Sequence, residues 1–319
     1  MFEMRKSTIE ERRQYYEEEW ERTDLPNFVL HTLSMREFGF DHDGNGPKDR
    51  YNQFMIPEQL ADYLRKKAPY AVYGSVALYE VPTERKSWLK SELVFDVDAK
   101  DLPIKSCKCE GGNVCEICLE EARKIASNFG EILSNNLALQ DIHYVYSGRG
   151  FHVRVNDDTV MKMESNERNS ILEYVTGGVI PTDLTMTLGY SKIFREKSAE
   201  MLERLKDHQL ADGNIKGALA KKITTEKDKI LSALRQGRPE KISKMRGVGP
   251  KSLEKLLQFL ASMNMKMTDG KVTTDIKRIL RLPSSLHSGV SRKCIEIQDI
   301  EKFSIEDTIP KFIRESGGQ

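Results

Sequence analysis

The chain has 319 residues, 39% of them hydrophobic and 31% charged, which suffices to bury a sizeable core in one large or two modest domains and excludes a disordered chain. Its net charge of +1 excludes a uniformly basic nucleic-acid coat but not a local basic patch. With no run near the ~18 apolar residues of a membrane span and no basic-then-apolar leader, a cytoplasmic protein is expected, nuclear if the cell is eukaryotic, with no membrane among its partners.

Residues 1 to 24 read as a charged helix carrying Ile9, Arg12, Tyr16 and Trp20 at helical spacing, stopped by Asp24, Leu25 and Pro26. A second element over Leu30 to Phe40 runs into the turn-rich segment Asp41 to Pro47 and then Arg50 to Phe54. The D-x-D-x-N of that segment resembles the start of a calcium loop, but Asn52 stands where the bidentate Glu belongs, which argues against calcium. Pro57 to Lys67 is predicted helical. Ala71 to Val81, Leu93 to Val97, Ile142 to Tyr146 and Phe151 to Val155 are rich in β-branched and apolar residues and read as strands. The amphipathic Glu120 to Leu139, a helix between two of these strands, points to an α/β or α+β layer with a sheet at its centre. Residues 163 to 265 read mostly as helices broken at glycines, Val272 to Arg281 resumes β-prone or mixed character, and Cys294 to Ile297 is a last short strand. The organisation expected is a core of residues 1–162 and 266–319, with a cysteine motif inserted at 106–119, and a basic, mostly helical subdomain over 163–265.

The strand at Leu93 ends in Asp96-Val97-Asp98. Alternation along a strand puts both carboxylates on one side, with Phe95 and Val97 on the other. Two like charges at this spacing repel unless a cation sits between them, so the pair suits a shared divalent metal, although an isolated D-x-D equally fits a strand end passing into a turn. Four of the five cysteines, Cys107, Cys109, Cys115 and Cys118, fall within twelve residues, and Glu110-Gly111-Gly112-Asn113 supplies the turn that lets them converge on one ion. Zinc in a closed structural site is the first choice, with an iron–sulfur cluster or free thiols as alternatives; adjacent disulfides do not suit the cytosol. Cys294 stands alone and reads as a small buried hydrophobe.

Tyr144 to Val155 reads as strand, glycine-broken turn, strand. Gly148 and Gly150 let the backbone approach a ligand, while Ser147, Arg149 and His152 offer a hydroxyl, a guanidinium fork and an imidazole that fit a triphosphate; an ordinary hairpin with a polar tip is the alternative. Thr273 to His287 again joins an acid, cations and a histidine. Asp275 is a candidate third carboxylate and Arg281 and His287 are candidate phosphate ligands, against duller roles as a helix cap, a surface cation and a satisfied polar residue. From Lys216 to Lys255, twelve Lys or Arg stand against four acids, either the solvated face of a helical layer or a nucleic-acid backbone contact. Within it, Arg246 to Leu257 resembles a helix-hairpin-helix turn, where N–H groups at a helix start meet a DNA phosphate. That makes Lys251 and Lys255 candidate DNA contacts, unless the segment is a plain connection between helices.

Together, Phe95-Asp96-Val97-Asp98, Ser147-Gly148-Arg149-Gly150-Phe151-His152, and Asp275 followed by Arg281-Leu282-Pro283-Ser284-Ser285-Leu286-His287 resemble, in order and spacing, the small catalytic subunit of archaeal and eukaryotic DNA primases. The cysteine cluster after the first motif also fits, as does Arg36-Glu37-Phe38-Gly39-Phe40 with Arg50. The resemblance spans nearly the whole chain outside 163–265, and the short length looks archaeal; where eukaryotic members tend to carry a second arginine, this chain has Gly150. It implies an α+β primase fold with a central mixed or antiparallel sheet, an RRM-like catalytic core, flanking helices and a zinc motif. It further implies that Asp96, Asp98 and Asp275 hold two ions of Mg²⁺ or Mn²⁺, that Ser147, Arg149, His152, Arg281 and His287 grip the β- and γ-phosphates of an NTP or dNTP, and that primers grow on a single-stranded DNA template with release of pyrophosphate. The implied partner is a primase large subunit carrying an iron–sulfur domain. Two rival readings explain less. A metal-dependent glycosyltransferase leaves the Ser147 to His152 turn unexplained, and a non-catalytic zinc module that binds nucleic acid leaves three aspartates idle.

Overall fold

The computed structural model describes residues 4–316. Helix α1 (Ile9–Gln14) begins at Thr8, whose hydroxyl accepts the Glu11 amide while the Glu11 carboxylate accepts the Thr8 amide, a reciprocal cap. It widens into a π turn over Tyr15–Glu19 and ends at the extended Trp20, short of the expected residue 24. Tyr15 and Trp20 are buried there, and their OH and Nε1–H donate to the carbonyl and hydroxyl of Ser284. The first segment therefore clamps the loop that leads to His287.

The expected element Leu30 to Phe40 resolves into α2 (Asn27–Leu30), a short 3-10 turn and β1 (Phe38–Asp41), which pairs with β2 (Asp49–Asn52). Helix α3 (Pro57–Lys67) lies where expected, with Pro57 at its first position, where a missing N–H goes unused. The single strand expected over Ala71 to Val81 is instead β3 (Ala71–Ser75) and β4 (Ala77–Val81). They part at Val76, so that β3 pairs with β1 while β4 pairs with β5 (Lys86–Ser91). Next come β6 (Leu93–Asp98), α4 (Glu116–Leu137), β7 (Ile142–Tyr146) and β8 (Gly150–Val155), close to the expected bounds.

A helical run follows: α5 (Asp158–Met161), α6 (Ser165–Thr176), α7 (Gly189–Arg204), α8 (Gly217–Thr225), α9 (Lys227–Arg235), α10 (Pro239–Ser243) and α11 (Pro250–Met265). The stretch read as β-prone from Val272 opens instead with a helix, α12 (Gly270–Thr274), before β9 (Ile279–Arg281). The chain closes with β10 (Leu286–His287), β11 (Arg292–Lys293), β12 (Ile295–Ile297) and α13 (Lys311–Ser316).

Among the described residues the architecture is α+β with antiparallel pairing throughout, but the single central sheet expected is two four-stranded sheets, β2-β1-β3-β9 and β12-β7-β8-β6, plus two short hairpins. Helix α4 covers one face of the second sheet, where Phe95 and Val97 share a core with Ala126 and Phe129, and the Phe95 and Phe129 rings lie 5.7 Å apart. Burying that face forces the alternate residues of β6, Asp96 and Asp98, to the other. Helix α6 adds Leu172 and Val175 to the same core, whereas Phe194, Ile230 and Leu256 of the later helices pack in another with Val248, between α10 and α11. No helix among the described residues is long and apolar enough to cross a membrane.

Candidate active site

Asp96 and Asp98 line a cleft of about 200 Å³ together with Ser147, Arg149, His152, Arg281 and His287, so seven of the expected residues converge from three separate stretches. The antiparallel register of β6 and β8 sets His152 opposite Asp96 and Gly150 opposite Asp98, and His152 Nε2 lies 3.5 Å from Asp96 Oδ1. The β7–β8 turn closes by a bond from the Ser147 amide to the Gly150 carbonyl at 2.9 Å, while the Tyr146 hydroxyl donates to the Gly148 carbonyl at 2.5 Å. Both glycines are dictated by close approach. Gly148 has φ +105°, and a Cβ there would stand 2.4 Å from His287 Cδ2; a Cβ on Gly150 would stand 2.2 Å from the Val97 carbonyl oxygen. The turn is thus pressed against β6 on one side and His287 on the other.

The cleft is bipolar. Burial, then the neighbouring charges of Asp98 and Asp269, push the Asp96 carboxyl up to about 7. In the same cleft, burial holds His152 down at about 3, helped by Arg154 and Arg281, and holds His287 well below its ordinary value, helped by Arg281 and Arg149. Both imidazoles are therefore neutral at physiological pH, and the positive charge of the site resides on guanidinium groups. Nδ1 of His152, Nδ1 of His287 and Nη1 of Arg281 are buried without a hydrogen-bond partner among the described residues. Native proteins rarely leave such atoms unsatisfied, and their clustering beside carboxylates that repel one another fits a divalent cation carrying a polyanion.

Asp275 does not line this cleft. It follows the last residue of α12, its Oδ1 accepts the Lys277 amide at 2.9 Å, and it lines an adjoining pocket with Arg50, Arg85 and Lys277. That pocket shares Tyr73, Arg278 and Ile279 with the cleft, so Asp275 stands beside the carboxylate pair at the closing end of α12, whose opening end bonds to β6. Asp269 caps that opening end. Its amide donates to the Asp96 carbonyl at 3.0 Å, the Thr268 hydroxyl donates to the same oxygen at 2.8 Å, and its charge is one of those raising Asp96. The signal for it was an Asp before a glycine at a helix start. Reading Val272 onward as β-prone concealed that helix. Two further cleft residues carried no motif: Arg278, and Tyr73, which pairs in register with Arg281 and lies under its guanidinium at 5.3 Å; Lys100, beside the cleft, holds its Nζ 3.2 Å from Asp98. Glu37 and Arg50 of the early motif are joined at 2.6 Å, and Arg85 takes the other Glu37 oxygen at 2.6 Å.

The four clustered cysteines do converge, with all Sγ atoms within 4.8 Å of one another and no disulfide. Cys115 caps α4, its amide donates to Cys118 Sγ at 3.2 Å, and Gly111 turns the loop at φ +61°. Four thiolates so placed leave no open coordination position, which fits a structural ion. The loop also abuts the cleft, since a Cβ on Gly112 would lie 3.6 Å from Arg149 Nη1. Cys294 is buried, as expected of a lone apolar thiol. Lys251 and Lys255 lie outside the cleft, on the first turns of α11.

A family model described as DNA primase small subunit matches residues 95–299. The DNA primase small subunit PriS of Methanobrevibacter smithii is 42% identical over 329 residues, covering 98% of this chain and 99% of the relative. That of Methanothermobacter thermautotrophicus is 42% identical, covering 96% of each chain, and that of Pyrococcus horikoshii is 41% identical, covering 98% of this chain and 95% of its own.

Proposed function

The chain belongs to the DNA primase small-subunit family, and on that premise we propose that it synthesises short primers on a single-stranded DNA template, joining nucleotidyl groups from NTPs or dNTPs and releasing pyrophosphate. The observation that carries this reading is the cleft, in which the Asp96 and Asp98 carboxylates share one lining with Ser147, Arg149, His152, Arg281 and His287. Asp96, Asp98 and Asp275 would hold the divalent ions, Mg²⁺ or Mn²⁺; when bound, these would lower the pKa of the primer 3′-hydroxyl and neutralise phosphate charge. Arg149 and Arg281 supply the fixed charge for the β- and γ-phosphates. His152, His287 and Ser147 supply uncharged hydrogen bonds that orient them. As the bond to the α-phosphorus breaks, charge accumulates on the leaving pyrophosphate, so these contacts strengthen in the transition state.

The four cysteines would bind one structural zinc ion beside Arg149. A helix across one face of a four-stranded antiparallel sheet supports the RRM-like description of the core, and the separate packing of Phe194, Ile230 and Leu256 supports a helical subdomain within 163–265. The words small subunit in the relatives' names support a larger partner, which we take to carry the iron–sulfur domain. A cytoplasmic location is in keeping with the archaeal relatives. Incubating the protein with single-stranded DNA, labelled nucleotides and Mg²⁺ or Mn²⁺ should give template-dependent polymer. The Asp98→Ala variant should stay folded and give none. Absence of product from the wild-type protein with its partner would sink the reading, and near wild-type extension by Asp98→Ala would sink the metal assignment.

A further inference from the structure

Residues 216–255 carry twelve Lys or Arg against four Asp or Glu, in a chain of net charge +1. The acids and carbonyls nearby engage only some of these cations. Lys222 and Lys229 pair with Glu226, Arg235 pairs with Glu203, and Lys227 donates to the carbonyls of Glu203 and Leu205. Lys221, Arg238, Lys241, Lys244, Arg246 and Lys251 are exposed and make no ion pair among the described residues. A merely solvated helical face intersperses both signs, whereas this one gathers a single sign.

The fold concentrates that charge at one place. Between α10 and α11 the chain reverses through Gly247, at φ +88°, and the wholly buried Val248. Lys222 of α8 stands against this hairpin, its Cγ 3.9 Å from where a Gly247 Cβ would lie. Lys221 and Lys222 thus join Arg246 and Lys251 from the hairpin's two flanks, with Lys255 one turn further along the face of α11 that bears Lys251. Helix α11 has 16 residues, and Thr268 and Asp269 just beyond it bond to the Asp96 carbonyl. At ~1.5 Å per residue the hairpin stands about 24 Å along the helix from that junction, which is about seven base pairs of duplex at ~3.4 Å each.

We propose that this hairpin, with Lys221 and Lys222 beside it, is a second nucleic-acid contact that grips the sugar-phosphate backbone of the primer–template duplex about seven base pairs from the point of synthesis. The contact carries charge and no base-edge readout, so it is independent of sequence. The placement on a duplex rests on the reading of the cleft as a primase site; the affinity for DNA backbone rests on the patch alone.

The test is fluorescence-anisotropy binding of the full chain to primer–template DNA over a series of salt concentrations, comparing wild type, Arg246→Ala/Lys251→Ala, and a charge-matched control, Lys66→Ala/Lys67→Ala on α3. Each phosphate contact contributes about 0.9 to the slope of log K against log salt. With a twelve-base-pair duplex, the hairpin variant should lower that slope by about 2, with unchanged melting, while the control leaves it alone. With a four-base-pair duplex the two variants should match wild type. An unchanged slope, an equal loss in the control, or an equal loss on the short duplex overturns the proposal. A hairpin-dependent slope in a protein that makes no primer would sink the catalytic reading and leave the backbone grip standing. Primer synthesis with identical salt slopes in all three proteins would do the reverse.

Discussion

Substituting Gly148 by alanine probes the convergence of the turn and the His287 segment. The new Cβ would sit 2.4 Å from His287 Cδ2, whereas carbon atoms rest at about 3.5–4.0 Å, so the ring must retreat by about 1 Å or more. It has little room, because His287 is buried at 6% exposure. A misplacement of about 1 Å in a group that positions substrate lowers rate about 100-fold, or ~2.7 kcal/mol of transition-state stabilisation. The alanine also adopts φ +105°, which strains the backbone by about 1–3 kcal/mol. Gly46→Ala separates the two effects, since Gly46 has φ +93° and open space around it. Both variants should melt at lower temperature, but only Gly148→Ala should lose about 100-fold in kcat/KM for nucleotide incorporation on a single-stranded template. Incorporation within threefold of wild type, or an equal loss in Gly46→Ala, would refute the claim that Gly148 is selected to seat His287.

Asp275→Asn should abolish incorporation, and Asp269→Asn should lower the pKa of Asp96, because one of the charges raising it is gone; incorporation assays and carboxyl titration by NMR check the two. Glu92 is buried between Arg36, at 2.5 Å, and Arg154, at 3.1 Å, so Glu92→Gln leaves two buried guanidiniums short of a counter-charge and should destabilise the chain by about 3–5 kcal/mol in denaturant titrations. Burial disfavours the charged form of His143, but bonds at 2.8 Å to Glu296 and Asp141 outweigh it and raise its pKa. A raised folded-state pKa stabilises fully below the unfolded value of ~6.5 and loses that contribution as pH rises through the folded value. Melting temperature should therefore fall above that pH through this group, and Glu296→Gln should flatten the dependence; an unaltered pH profile would contradict it. Removing the metal from the cysteine cluster, or Cys118→Ser, should lower the melting temperature while leaving measurable catalysis once Mg²⁺ is restored.

The parts of the fold legible in the sequence are those settled by local pattern. Strand β6 shows its apolar face in consecutive residues, α3 carries its proline at the one position that tolerates it, and α4 keeps a sustained amphipathic stripe. The division of Ala71 to Val81 into two strands was not of that kind. The Val76 amide donates to the Arg278 carbonyl, and the Val76 carbonyl accepts the Glu92 amide. Its hydrogen bonds run to residues far away in sequence, so the point where the chain leaves one sheet for another follows from tertiary pairing. The sheet β2-β1-β3-β9 was missed for the same reason, since β9 supplies only three residues.

The same distinction explains the carboxylates. Asp96 and Asp98 announce themselves because strand alternation alone puts them on one face. The position of the third expected carboxylate, Asp275, depends on how the segment after α11 docks on β6, and there intrinsic propensity misleads. Val272, Thr273 and Thr274 favour extended backbone, but capping by Asp269 and the two donors from Thr268 and Asp269 on the Asp96 carbonyl hold a helical turn against that preference. Once that turn forms, residues 269 and 275 lie at its opposite ends. The opening end bonds to the catalytic strand, and Asp275 leaves the closing end into a pocket that adjoins the cleft through Tyr73, Arg278 and Ile279. A backbone carbonyl on the catalytic strand, invisible to any motif, thus sets where Asp275 stands relative to the Asp96 and Asp98 pair.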